Sequence, residues 1–388
     1  MMDYDETVCL CALNKIFGFV PQKGRRLYEY AGSAAAVFGM DPEERRQCLG
    51  SHAPLSDKIC PAAQEEAEEE LRRLAHTDCR FVSLADEAYP PLLRECDDPP
   101  LGLYVRSATD PAALFVKRPA IAVVGTRKIT PYGAEWCRRI VRGLSEAAVK
   151  PVIVSGLAFG TDIIAHKTAL ENGLPTFGVM ATGIDVIYPR QHRETAERLA
   201  ALPGGALLTD YPLDSQPEPL AFIRRNRIIA GLSKAVILIE SRLKGGGLIT
   251  ARFANDYNRD LFALPGRIDD ECSQGCNLLI RDNRAEPVTD LADLVGKLNL
   301  GTVLHRQGKD LRDEALRRFA PLLPPEKARA VTDLLMLVRQ YRGITLDQLC
   351  RKAGKPYPAV SEEARLLENE GFISIDLLQR CALNAKKV

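Results

Sequence analysis

The chain carries almost no net charge that would advertise a polyanionic partner. Its 388 residues hold 52 Lys and Arg against 51 Asp and Glu, a formal net charge of +1. Any basic surface must be local and balanced elsewhere, as by the acidic run at 65–70. No stretch approaches the ~20 apolar residues of a membrane span. The opening MMDYDETVCL lacks the charged n-region and long apolar h-region of a signal peptide. A cytoplasmic protein with no membrane contact is therefore expected. Eleven cysteines make an odd number without framework spacing, which fits reduced thiols. Cys9-x-Cys11 and Cys272-x-x-x-Cys276 are the close pairs, with no histidine pair nearby, so neither a metal site nor a cofactor is expected. Neither G-x-G-x-x-G nor G-x-x-x-x-G-K-[ST] occurs, which disfavours the usual dinucleotide and Walker-type nucleotide sites.

What is present divides the chain into three parts with a linker, more than one ordinary domain at this length. Residues 1–80 read as a helical domain, with helical patterns at 7–16, 22–30, 33–39 and 62–76; the helical character is expected to persist to about 110. Ile16-Phe-Gly18-Phe-Val20 followed by Pro21 and a basic turn resembles a helix-hairpin-helix or SAM-like module; plain helical packing is the alternative. Residues 81–300 change period. Short apolar runs at 121–125, 152–155, 176–181, 206–209, 235–240 and 261–264 alternate with helical patterns near 131–148, 161–171, 193–201, 220–232 and 248–257. That alternation predicts an α/β fold: a doubly wound, mainly parallel sheet, with ligands at the carboxyl ends of its strands. Residues 301–322 look like a linker. Residues 323–388 order three helices before a strand, a winged-helix pattern.

The glycine turns fall where such a sheet binds ligands. In Gly125-Thr126-Arg127-Lys128, the arginine can fork onto a phosphate and the lysine can add a point charge; an ordinary exposed pair on a loop is the alternative. Ser155-Gly156 leads into a helix bearing His166 and Lys167. No nucleophile is clearly paired with His166, which suits support of the local fold or a phosphate contact. Asp162 is suited equally to capping that helix. Phe222 to Ser233, FIRRNRIIAGLS, places Arg224, Arg225 and Arg227 around Asn226. Residues three apart share a helix face, so Arg224 and Arg227 would be neighbours and Arg225 would point elsewhere. The turn Gly245-Gly246-Gly247 then opens a helix containing Thr250, a helix N-terminus suited to an anion. Cations gathered in this way point to a polyanion; one strong salt bridge with solvent contacts is the alternative.

Together these turns resemble the DprA/Smf family of bacterial DNA-processing proteins. The resemblance is carried by VVGTRKITPYG (123–133), SGLAFGTDIIAHKTAL (155–170), ATGIDVIYPRQHR (181–193), FIRRNRIIAGLSKAVILIE (222–240), GGGLITARFA (245–254), FALPGRID (262–269) and GCNLLIRDNRA (275–285), approached by FVSLADEAYPPLLRECDDPPLGLYVRS (81–107). It implies an extended Rossmann-like domain that binds single-stranded DNA and self-associates as a homodimer. It also implies a non-enzymatic role: protecting incoming DNA and loading the recombinase RecA during natural transformation, in competition with single-strand-binding protein. Carried onto this chain, the family's basic pocket would use Arg127, Ser155-Gly156 and Arg225-Asn226-Arg227, shaped by Gly246-Gly247. The chain departs from the family pattern at Phe159, where arginine is frequent, and at Thr161, Ile223, Gly246 and Asn283-Arg284-Ala285. Phe159 removes one phosphate contact but supplies a ring that can stack on a base. The alternative is a nucleotide-processing enzyme of the phosphoribohydrolase or lysine-decarboxylase-like group, with Glu240 as its acid or base. In the C-terminal part, Glu362, Glu363, Glu368 and Glu370 against Arg365 would repel duplex DNA, so protein contact or control of self-association is expected there.

Overall fold

Val- and Ile-rich runs of four or five residues build the central sheet, because β-branched side chains suit a pleated surface covered on both faces. The computed structural model describes residues 5–301, 311–341, 343–376 and 378–384. Two compact units result, Met1–Leu304 and His305–Val388. In the first, the strands are β1 (Cys79–Ser83), β2 (Gly102–Arg106), β3 (Ala120–Val124), β4 (Val152–Ser155), β5 (Thr176–Val179), β6 (Ala206–Thr209), β7 (Ala235–Leu238), β8 (Asp260–Ala263) and β9 (Glu286–Pro287). They form one sheet in the order β1-β2-β6-β5-β4-β3-β7-β8-β9. From β6 to β9 every pairing is parallel; β1–β2 and β2–β6 are antiparallel.

Alternation along β3 shows how the sheet serves two cores. Ala122 and Val124 join the core on one face, while Ile121 and Val123 join the core on the other. The helix Pro219–Leu232 contributes Ile228, Ile229 and Leu232 to the first face. The helix Pro131–Ser145 contributes Cys137, Ile140, Val141 and Leu144 to the second. Strand order reverses between β3 and β7: the chain steps outward from β3 through β6, then returns to lay β7 on the other side of β3. Such a reversal opens a crevice at the strands' carboxyl ends.

Two features differ from the helical N-terminal region expected up to about 110. Residues 79–83 and 102–106 are strands that extend the sheet by an antiparallel ribbon. The N-terminal helices also share a core with the sheet: Cys11, Ala12, Ala67 and Leu74 pack with Tyr104, Leu157 and Leu207. Asn14 fixes this junction, donating to the Asp210 carbonyl at 3.0 Å and accepting from the Gly102 amide at 3.2 Å.

In the second unit, helices Pro325–Gln340, Leu346–Ala353 and Tyr357–Asn369 pack with β10 (Ile344–Thr345), β11 (Ile373–Ile375) and β12 (Arg380–Leu383), an antiparallel sheet in the order β10-β12-β11. Part of the range expected as linker is helix. Leu311–Phe319 places Leu311, Ala315 and Phe319 in this unit's core, and the linker positions 302–310 lie outside the described residues. Acidic side chains in and just after the helix Tyr357–Asn369 are paired. Glu362 meets Lys327 at 2.7 Å, Glu363 meets Lys355 at 2.7 Å, and Glu370 meets Arg318 at 2.5 Å. All eleven cysteines are free thiols. Among the described residues no helix is long and apolar enough to cross a membrane, and no cluster of His, Cys, Asp or Glu is arranged to hold a metal.

Candidate nucleic-acid interface

At the carboxyl ends of β3 and β7 lies an open cleft of about 550 Å³. Gly125, Thr126 and Arg127 of the loop after β3 form one wall. The Gly245–Gly247 turn and Thr250 form a second, and Phe222, Ile223, Arg225 and Asn226 form a third. Close backbone approach makes the walls meet. A Cβ on Gly247 would lie 2.7 Å from Leu238 Cδ1 and 3.5 Å from the Gly125 Cα. Gly160, at φ +75°, leaves room for the Thr126 carbonyl, which accepts from the Thr161 amide at 3.2 Å. The loops after β3 and β4 are thereby locked together. Gly245 at the N-cap has no side chain to cap the helix Gly246–Asp256, whose first residues, Gly246 and Gly247, line the cleft.

The three arginines of the RRNR stretch go to three different places. Arg225 is buried at 3% exposure and donates to the Gly156 carbonyl at 2.6 Å and to the Val179 carbonyl. Its guanidinium occupies the space a side chain at position 156 would need, 2.5 Å from an ideal Cβ there. Burial pulls Arg225 down to about 10, opposed by Asp162 and reinforced by Arg127. Arg227 turns the other way, pairing with Asp210 at 2.5 Å and donating to the Asp98 carbonyl at 2.6 Å, both groups buried. Arg224 faces the N-terminal helices, its guanidinium 3.9 Å from the centroid of the Phe19 ring. Arg224 and Arg227 are thus not neighbours on a ligand face. Arg225 is the one of the three that lines the cleft, and it is held from beneath.

Of the other expected site residues, Gly125, Thr126, Arg127, Asn226, Gly246, Gly247 and Thr250 come together at the cleft. Lys128 and Lys167 are exposed but are not among its lining residues. Ser155 is buried and spends its hydroxyl on the Val123 carbonyl at 2.7 Å. Gly156 serves through the carbonyl that holds Arg225. His166 has no exposed surface, and its Nδ1 lies 2.7 Å from Thr176 Oγ1. Burial, with Arg225 and His192 nearby, drives its pKa down to about 3, so it is a neutral core group. Asp162 accepts from the amides of Gly156 and Ala158 at 3.2 and 3.4 Å and so shapes the turn. Glu240 is buried beneath the loop after β3, accepting from the Thr130 amide at 2.9 Å and hydroxyl at 2.5 Å. It is not in the cleft, which removes the acid or base assigned to it for nucleotide processing.

Arg127 is exposed, lies 4.9 Å from the centroid of Phe222, and makes no ion pair among the described residues. Two further cations line the cleft that the glycine motifs did not single out, Arg242 and Lys244. Their signal is the Arg-Leu-Lys stretch between β7 and the triple glycine. Arg242 meets Glu271 at 3.2 Å on the surface, an arrangement that costs little to exchange for a phosphate.

Comparison with known proteins agrees with this architecture. The family model described as DNA recombination-mediator protein A matches residues 80–299. Protein Smf of Escherichia coli is 34% identical over 80% of this chain and 79% of its own length. Protein Smf of Synechocystis is 42% identical over 56% of this chain, but over only 54% of its own length. The X-ray structure of DNA processing protein A from Streptococcus pneumoniae superposes with a TM-score of 0.63 at 31% identity, covering 74% of this chain and 95% of that one. The Helicobacter pylori DNA processing protein A, described for its unique single-stranded DNA binding mode, superposes with a TM-score of 0.51 at 29% identity, covering 58% of this chain and 97% of that one. The chain belongs to the DNA recombination-mediator protein A family, the DprA/Smf proteins.

Proposed function

We propose that this protein binds single-stranded DNA in the cleft and acts as a recombination mediator, protecting incoming strands and loading RecA onto them during DNA uptake. The observation that carries the reading is the composition of the cleft. Arg127, Lys244 and Arg242 surround an uncapped glycine-rich helix start, with Phe222 and Ile223 beside them. Backbone amides and cations suit phosphates, and the apolar rim suits unstacked bases, a combination typical of single-strand binding. The Helicobacter pylori relative, with its single-stranded DNA binding mode, supports the choice of ligand. Self-association through the Rossmann-like domain, contact with RecA and with single-strand-binding protein, and a cytoplasmic location belong to the same reading. So does a division into helical (1–80), Rossmann-like (81–300) and winged-helix (323–388) modules, the last serving protein contact. A measurement of RecA filament nucleation on oligonucleotides coated with single-strand-binding protein tests it. Wild-type protein should shorten the lag and Arg127→Ala should restore it; an unchanged lag with wild-type protein contradicts the mediator role.

A further inference from the structure

Beyond the phosphate-lined cleft, exposed aromatic side chains continue along the same edge of the sheet. Phe222, on the cleft wall, packs against Tyr188 with ring centroids 5.5 Å apart. Tyr188 is 44% exposed and belongs to the segment after β5 that also carries Arg190 and His192. His192 is buried, its Nδ1 2.6 Å from the Leu157 carbonyl, and its ring supports Phe159 edge-on at 4.8 Å. Phe159 is 46% exposed on the turn after β4, where Leu157 adopts φ +58° and Gly160 adopts φ +75°. A left-handed backbone at a leucine is uncommon and is sustained only where surroundings fix it. Here Arg225 and His192 hold the Gly156 and Leu157 carbonyls at the start of the segment that presents Phe159, and the Thr126 carbonyl holds the Thr161 amide at its end. The Phe159 ring is therefore held out in solvent by a buried support, and the Tyr188 ring stands in solvent against half-buried Phe222, although burying either would be favourable. Arg190, two residues beyond Tyr188, is exposed and makes no ion pair among the described residues.

We propose that Phe159 and Tyr188, with Arg190, form a second nucleic-acid contact station, where bases leaving the cleft stack on the two rings and Arg190 meets the backbone. This inference rests on the single-strand reading of the cleft and deepens it: the cleft holds phosphates, and the strand then runs over the carboxyl ends of β5 and β4 with its bases turned to the protein. The ligand class is an unpaired, base-bearing strand longer than the cleft alone accommodates. Stacking of this kind tolerates any base, so no sequence preference follows.

Fluorescence anisotropy on the full chain tests the station, using a labelled oligothymidine ladder and a matched oligonucleotide with abasic sites. Phe159→Leu and Tyr188→Leu keep apolar bulk at exposed positions and remove the rings, and their thermal unfolding should match wild type. Each is expected to weaken binding of the longer oligonucleotides by roughly 5- to 100-fold, to leave the shortest bound ones unaffected, and to bind intact and abasic strands more nearly alike. If wild type binds and Arg127→Ala weakens binding, but both leucine variants match wild type at every length, the station is refuted while the cleft stands. If wild type binds no single strand, both are refuted. Equal wild-type affinity for intact and abasic strands would also overturn the proposal.

Discussion

Arg127 and Arg227 have the same side chain, yet their surroundings give them opposite roles. Arg227 neutralises Asp210 in a setting where both are about 5% exposed. Truncating it strands a buried carboxylate, at a cost of about 3–5 kcal/mol. Arg127 is exposed, lies over the Phe222 ring and makes no ion pair among the described residues, so its removal should change stability by about 0.5 kcal/mol or less. Urea unfolding of Arg127→Ala and Arg227→Ala should therefore separate sharply. Only Arg227→Ala moves the midpoint, and Arg127→Ala loses DNA affinity while remaining as stable as wild type. A stable Arg227→Ala would contradict this assignment. His166 carries a second residue-scale consequence. Its folded pKa of about 3 lies below the ordinary 6.5, so the unfolded chain takes up a proton that the folded chain refuses. The stability it supports is complete above about pH 6.5 and is lost as pH falls toward 3, by up to about 1.4 kcal/mol per pH unit. Unfolding midpoints of wild type should fall faster from pH 7 to pH 5 than those of His166→Gln; parallel slopes would contradict a buried, neutral histidine.

The elements were more legible than the directions of their side chains. The runs at 152–155 and 206–209 coincide with β4 and β6, because four consecutive apolar or small residues bounded by Gly and Pro have few other uses in an alternating pattern. β1 and β2 were hidden because their sequences, CRFVS and GLYVR, each set an arginine within or at the end of a short apolar run, and because they add an antiparallel ribbon outside the alternating strand–helix pattern. For the helix Pro219–Leu232, spacing suggested that Arg224 and Arg227 share a face. Their destinations are set instead by Phe19, which approaches from the N-terminal helices, and by Asp98 and Asp210, far apart in the chain. No local pattern encodes those partners. Arg242 and Lys244 were passed over because they precede the glycines in a turn with no motif of its own. The turns themselves behave as one interlocked unit. At Gly160 a methyl group would both strain the left-handed backbone and strike the Thr126 carbonyl. Gly160→Ala should cost on the order of 1–3 kcal/mol and weaken DNA binding through the displaced Arg127 loop. Calorimetry with anisotropy checks this, and an unaffected variant would show that the two loops are not coupled.

At the scale of the whole molecule, a nearly neutral chain sets three exposed cations, Arg127, Arg242 and Lys244, around one cleft. Elsewhere, many cations are spent in ion pairs. Lys15 meets Glu70 at 2.8 Å, Arg106 meets Asp78 at 2.8 Å, and the C-terminal unit pairs Lys327, Lys355 and Arg318 with glutamates. At the cleft, Arg127 and Lys244 make no such pair among the described residues, and Arg242 has only a surface partner. Their convergence on the start of the helix Gly246–Asp256, more than any total, is what suits this cleft to an anion. On this reading phosphates bind there, and Arg127 is one of their direct contacts. The salt dependence of single-strand affinity tests it most directly, because each neutralised phosphate contributes about −0.7 to the slope of log affinity against log salt. Wild type should show a steep slope, and Arg127→Ala should bind more weakly to all sequences alike, with the slope shallower by about 0.7. A slope near zero, or an Arg127→Ala slope and affinity equal to wild type, would contradict it.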